Sequence, residues 1–150
     1  MRKVSVNPDI VSRQEMEVRW GDCDAAGIVY YAKFFDWFSD GRVGLLKQVG
    51  LPYHANFHEQ GIVMVAIEAH CRYRKSMRPE ERFVLETRLA ELSRSRMTFT
   101  YVITRQGDGA VVAEGKTAHA YVDSAGKPFD CQKRYPALWD RLCEIFAAGN

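Results

Sequence analysis

The 150-residue chain has no apolar run longer than residues 62–67, whereas a membrane helix needs roughly 20 such residues; a helix crossing a bilayer is excluded. Charge of one sign is also lacking, because 21 Lys and Arg stand against 19 Asp and Glu, interspersed along the sequence. Nothing in that balance calls for a nucleic-acid backbone or an anionic membrane surface as partner. Cysteine is scarce: Cys23, Cys71, Cys131 and Cys143 lie far apart and form no C-x-x-C pair. That pattern argues against a disulfide framework or a zinc knuckle and fits thiols in a reducing compartment. Eleven glycines and five prolines are too few for a collagen-like or low-complexity chain. The leader, residues 1–9, carries Arg2 and Lys3 with no apolar stretch behind them, unlike a signal peptide. The expectation is a soluble, cytoplasmic protein.

What is present is material for a core, with 47% hydrophobic and 12% aromatic residues, enough for one domain of this length to fold without staples. A single domain is expected over 1–150, its core about 14–123 and a C-terminal extension over 124–150.

Residues 14–20 alternate, with Met16, Val18 and Trp20 on one face, and predict a half-buried strand. The turn formers of residues 21–27 predict a loop. From 31 to 49 the residues Phe34, Phe35, Phe38, Leu45, Leu46 and Val49 recur at helical intervals, and Gly50-Leu51-Pro52 is a stop signal. One long helix is expected, with Gly41 and Gly44 allowing close packing on a sheet. A short helix over 53–60 follows, then residues 62–73, which read as a central strand buried on both faces at its start. Segments 82–92, 97–104 and 111–122 alternate and are joined by short connections, predicting three consecutive antiparallel strands. A small helix over 137–147 closes the chain. The fold class is therefore α+β, a five-stranded antiparallel sheet with a long helix on one face. Long edge strands predict that the sheet continues across a subunit interface.

The loop Gly21-Asp22-Cys23-Asp24-Ala25-Ala26-Gly27 holds two carboxylates shortly before the start of the long helix, where backbone N–H groups lack intrahelical partners. Such a helix start can hold a developing oxyanion, so a carboxylate and an oxyanion hole can be brought together here. Asp22 and Asp24 can equally serve to cap turns. His54 and His58, at i and i+4, share a spacing with metal sites, but no third ligand stands at a familiar distance, and no metal is expected. Cys23 sits between two carboxylates that raise its pKa, which makes it a poor nucleophile.

The run Gly21 to Tyr31, followed by the aromatic-rich Phe34-Phe35-Asp36-Trp37-Phe38, resembles the signature of the hotdog-fold acyl-CoA thioesterases of the 4-hydroxybenzoyl-CoA thioesterase type. The resemblance covers roughly residues 15–122 with the same order of elements. It implies a sheet wrapped around one central helix and hydrolysis of a small aryl- or acyl-CoA thioester to free acid and coenzyme A. Coenzyme A is then part of the substrate, and no separate cofactor is implied. The matching catalytic carboxylate is Asp24, nucleophile or general base, and the matching oxyanion donor is the N–H of Tyr31, with Asp22 and Gly27 supporting the loop. Coenzyme A contacts are expected at Ser93, Arg94 and Ser95, and also at Arg74 and Lys75. The acyl pocket is expected at Phe34, Trp37, Phe38, Ile62 and Met64. The resemblance further implies a homodimer or homotetramer. A hydratase of the same fold would need His five positions after Asp24, where Val29 stands. A noncatalytic module that binds acyl-CoA or acyl-carrier protein is the alternative, against which the retained Asp24 argues.

Overall fold

A computed structural model describes residues 3–149, and in it the alternating segments pair into one antiparallel sheet. Its strands are β1 (Lys3–Val4), β2 (Ser12–Glu17), β3 (Val63–Tyr73), β4 (Arg82–Ser93), β5 (Arg96–Arg105) and β6 (Val111–Val122); its helices are α1 (Lys33–Gln48), α2 (Tyr53–Asn56), α3 (Cys131–Arg134) and α4 (Pro136–Phe146). The order across the sheet is β1, β4, β5, β6, β3, and β2 also pairs with β4. β1 lies against residues 92–93 and β2 against residues 82–87. Two short strands thus share one edge, and six strands fill the five positions that the sequence predicts. The two-residue β1 falls in the polar leader, too short for an alternation to reveal it; Arg2 lies outside the described residues.

Helix α1 crosses the sheet because its apolar residues form one stripe. Phe34, Trp37, Phe38, Gly41, Leu45 and Leu46 are buried, the i, i+3, i+4, i+7 pattern of a core-facing helix. Two glycines let helix and sheet approach. Gly41 faces Leu85 and Thr87 of β4, and Gly115 of β6 faces the ring of Phe38, which stacks on Tyr101 with centroids 4.3 Å apart. After the last strand, Trp139, Leu142 and Phe146 of α4 join the same core, and the Asn7 N–H donates to the Phe146 carbonyl at 2.8 Å, tying the two ends together.

Two expectations fail at burial. Trp20 was expected on the buried face beside Val18, but β2 ends at Glu17 and Trp20 enters a 3-10 turn over Trp20–Asp22. The turn swings its side chain outward, leaving Trp20 72% exposed while Val18 is 1% exposed. β3 was expected to be central, yet it is the terminal strand of the sheet, paired on one side by β6 alone, and Val63, Val65, Ile67 and Tyr73 are all exposed. The apolar run signals a surface to be covered, and this chain does not cover it. No helix among the described residues is long and apolar enough to cross a membrane.

Candidate active site

The loop between β2 and α1 is built on Asp22. Its Oδ2 accepts from the Arg19 N–H at 2.8 Å, Lys33 Nζ stands 3.3 Å from its Oδ1, and its carbonyl accepts from the Tyr30 N–H at 2.9 Å. Asp22 is 8% exposed, so both carboxylate oxygens are committed to holding the loop closed against the start of α1. Asp24 differs in each respect. It opens a tight turn in which the Gly27 N–H donates to the Asp24 carbonyl at 3.0 Å and the Ala26 N–H donates to Asp24 Oδ1 at 2.8 Å. Its Oδ2 has no partner among the described residues, and the side chain is exposed. Gly27 has φ +76°, a left-handed conformation that costs an ordinary residue about 1 kcal/mol or more; here glycine is required for the turn that carries Asp24. Beyond it the chain returns beside itself: Cys23 bridges to Val29 and the Val29 N–H donates to the Met77 carbonyl at 2.9 Å.

Helix α1 begins at Lys33, two residues later than the periodicity predicts, and this leaves Tyr31 and Ala32 as its approach. The Lys33 N–H donates to the Tyr30 carbonyl at 2.9 Å, while the N–H groups of Tyr31 and Ala32 take no acceptor among the described residues. Tyr31 is held from its other side, because the Tyr73 hydroxyl donates to the Tyr31 carbonyl at 2.7 Å. Burial first, then neighbouring Cys71, pushes the Tyr73 phenol up to about 12, so it stays a protonated donor at neutral pH. Tyr73 is the site residue that the sequence reading missed; the strand is expected to end at 73, but nothing in the sequence places that end beside the start of α1. Cys23 behaves as expected, with its thiol pushed up by burial and then by Asp22 and Asp24.

Tyr31, Phe34, Tyr73, Arg74 and Lys75 line one open cleft of about 330 Å³, floored by Val29 and Met77. Asp24 stands outside its wall, at the head of the turn whose returning limb, Ile28 and Val29, forms part of it. Of the two cations, Arg74 is paired with Glu114 at 2.7 Å, and Lys75 forms no ion pair among the described residues. Ser93, Arg94 and Ser95 are elsewhere. β4, β5 and β6 carry that connection to the opposite end of the sheet from Tyr73: Tyr73 pairs with Ala113, whereas the Ser95 carbonyl accepts from the Tyr121 N–H, eight residues further along β6 and about 26 Å away at 3.3 Å each. Ser93 Oγ accepts from the Ser95 and Arg96 N–H groups, and Arg94 is occupied by Asp130 at 3.3 Å and by Gln132.

The residues expected to wall an acyl pocket are also dispersed. Phe34 borders the Tyr31 cleft. Trp37 packs on Phe83 and borders a polar cleft beside Asp22 and Lys33. Phe38 and Ile62 are fully buried core residues, and Met64 lines a separate cavity. Helical spacing marks the buried stripe of α1 without separating core from pocket wall. His54 and His58 stack with ring centroids 5.1 Å apart, and His54 pairs with Glu59 at 3.1 Å. His119 of β6 is buried, 2% exposed.

Comparison with known proteins agrees with this architecture. Residues 18–145 match the Thioesterase-like superfamily. The 1,4-dihydroxy-2-naphthoyl-CoA hydrolase of Thermosynechococcus vestitus is 28% identical over 114 residues, 76% of this chain and 77% of that protein. A protein of Thermus thermophilus superposes with a TM-score of 0.79 at 27% identity, covering 90% of this chain and 97% of its own. The DHNA-CoA thioesterase of Staphylococcus aureus superposes with a TM-score of 0.83 at 24% identity over 90% of each chain, a likeness of fold. With its sheet, its long helix and its match over most of its length, the chain belongs to the Thioesterase-like superfamily.

Proposed function

We propose that this chain hydrolyses a small aryl- or acyl-CoA thioester to the free acid and coenzyme A. The family makes it a thioester hydrolase; the substrate and the residues that act are our reading. The observation that carries it is the contrast within one loop: Asp22 is buried and fully bonded, whereas Asp24, seven residues before an unpartnered N–H at Tyr31, keeps a free carboxylate oxygen. A thioester carbonyl is electrophilic and its thiolate leaves readily, so a carboxylate and one or two oriented N–H donors suffice, and the reading needs no cofactor. The substrate carbonyl oxygen accepts from the Tyr31 N–H. Asp24 then attacks the carbonyl carbon, coenzyme A departs as the thiolate and water cleaves the resulting anhydride to the free acid, or Asp24 takes a proton from a water that attacks the carbonyl directly and expels the thiolate.

Lys75 supports the placement of coenzyme A, as a cation beside the cleft with no carboxylate of its own chain upon it. The Ser93, Arg94 and Ser95 connection fits only as part of a homo-oligomer. Antiparallel pairing of two β3 edges turns that end of a second copy toward the Tyr31 cleft of the first. The test follows thioester absorbance over benzoyl, hydroxybenzoyl, short-chain and long-chain CoA esters with wild type and Asp24→Asn. Asp24→Asn keeps the side-chain shape and removes the charge, so turnover should fall by on the order of a hundredfold or more. Full activity in that variant would remove Asp24 from the mechanism.

A further inference from the structure

Away from the Tyr31 cleft, a second cavity of about 250 Å³ lies between α1 and the sheet, walled by Leu46, Met64 and Phe99 together with Arg42, Tyr53 and His119. Its charged residue is Arg42. Arg42 donates from Nη1 to the Tyr101 hydroxyl at 3.1 Å and to Thr117 Oγ1 at 3.5 Å, and from Nη2 to Ser39 Oγ at 3.0 Å. All three acceptors are neutral, and Arg42 forms no ion pair among the described residues.

A chain of polar groups continues from Arg42: the Tyr101 and Thr117 hydroxyls are 2.5 Å apart, and Thr117 Oγ1 is 2.9 Å from His119 Nε2. Burial first, then the charge of Arg42, pushes His119 down to about 4, with the Met64 backbone opposing in part; the ring is neutral at pH 7. Its buried Nδ1 makes no well-formed hydrogen bond among the described residues and is met by the Met64 backbone. The Tyr53 hydroxyl accepts from the Met64 N–H at 3.2 Å, and its own proton has no acceptor among the described residues.

An apolar cavity with an uncompensated cation and an unspent Tyr53 hydroxyl proton suits an apolar group that ends in an anion. Building on the thioesterase reading, we infer that this cavity takes the distal end of the acyl group, and that the preferred acyl group carries a carboxylate remote from the thioester, held by Arg42. Met64 lies near the start of β3 and Tyr73 at its end. When two β3 edges pair antiparallel, the Met64 end of one copy lies beside the Tyr73 end of the other. The acyl group then runs from the Tyr31 cleft of one copy into this cavity of the second.

The experiment compares CoA esters matched except for a terminal carboxylate, such as glutaryl with pentanoyl and 4-carboxybenzoyl with 4-methylbenzoyl, and reads the ratio of kcat/KM within each pair. In wild type the ratio should favour the carboxylate on the order of tenfold or more, the worth of one charge-assisted contact. In Arg42→Gln it should fall to near one, and Arg42→Lys, which keeps the cation, should retain most of it. If Arg42→Gln does not fold, the wild-type ratio together with that of Arg42→Lys decides. A wild-type ratio of one or less, a ratio unmoved in Arg42→Gln, or a gain for 4-hydroxybenzoyl without one for 4-carboxybenzoyl overturns the inference and leaves the thioesterase reading standing. Hydrolysis of no ester overturns both.

Discussion

Asp22 and Asp24 are one residue apart and chemically identical, and the backbone divides their work. Asp22 turns inward to satisfy the Arg19 N–H and pairs with Lys33, while the glycine turn at Gly27 holds Asp24 outward. Tyr31 has a comparable division, its carbonyl fixed by the Tyr73 hydroxyl and its N–H left over. In the mechanism we propose, Tyr73 is then a positioning residue for the oxyanion donor. In Tyr73→Phe the ring contact with Phe34, at 5.1 Å between centroids, survives and one hydrogen bond, worth about 1 kcal/mol, is lost. We expect kcat to fall several-fold with KM changed less, because the loosened N–H serves the transition state more than ground-state binding. The phenol has its pKa raised to about 12, so its neutral donor form persists well beyond pH 10. The variant should therefore show a lower plateau with an unchanged pH profile across neutral and mildly alkaline pH. An unchanged kcat would mean that Tyr31 is fixed without Tyr73.

At the scale of elements, the two glycines of α1 separate what the helix needs from what it tolerates. Each costs about 1 kcal/mol relative to alanine by propensity. At Gly41 a methyl group would meet Thr87 Oγ1 and Leu85 in the buried contact with β4, whereas at Gly44 it would meet only the end of the flexible Gln14 side chain, which can swing away by giving up one long hydrogen bond, 3.4 Å to the Asp40 carbonyl. Gly41→Ala should therefore destabilise by about 1–3 kcal/mol despite its better propensity, and Gly44→Ala should be neutral or stabilising by up to about 1 kcal/mol. Thermal denaturation of the two variants checks the sign difference; equal shifts would refute it. The same packing explains what could be read in advance. The alternation of β4, β5 and β6, the stripe of α1 and the Asp-rich loop are local patterns, and each appears where its period predicts. Trp20, the edge position of β3, the distance of Arg94 from Tyr31 and the polar chain from Arg42 to His119 depend on contacts between segments far apart in sequence. No local period encodes them.

At the scale of the molecule, β3 joins these features. It is a long terminal strand with one neighbour, and Val65 and Ile67 are 40% and 42% exposed in its middle. An unpaired apolar edge of this length is a template for another strand, and we propose as its partner a second copy of β3, which would meet it with the same apolar surface under two-fold symmetry. Both cavities of the reading flank this edge, Tyr73 at one end and Met64 toward the other, so dimerisation and catalysis should fail together. Sedimentation should find wild type as a dimer or a multiple of one. Val65→Glu combined with Ile67→Glu places like charges across the two-fold, and should return the protein to its chain mass of 17.2 kDa. Because both side chains are exposed in the single chain, its fold should survive, as an unchanged aromatic circular dichroism signal would establish, while thioester hydrolysis falls with the loss of the dimer. A wild-type protein that sediments at the chain mass and hydrolyses CoA esters would show that one copy holds a complete site, and the path from the Tyr31 cleft to the Arg42 cavity would then have to lie within a single chain.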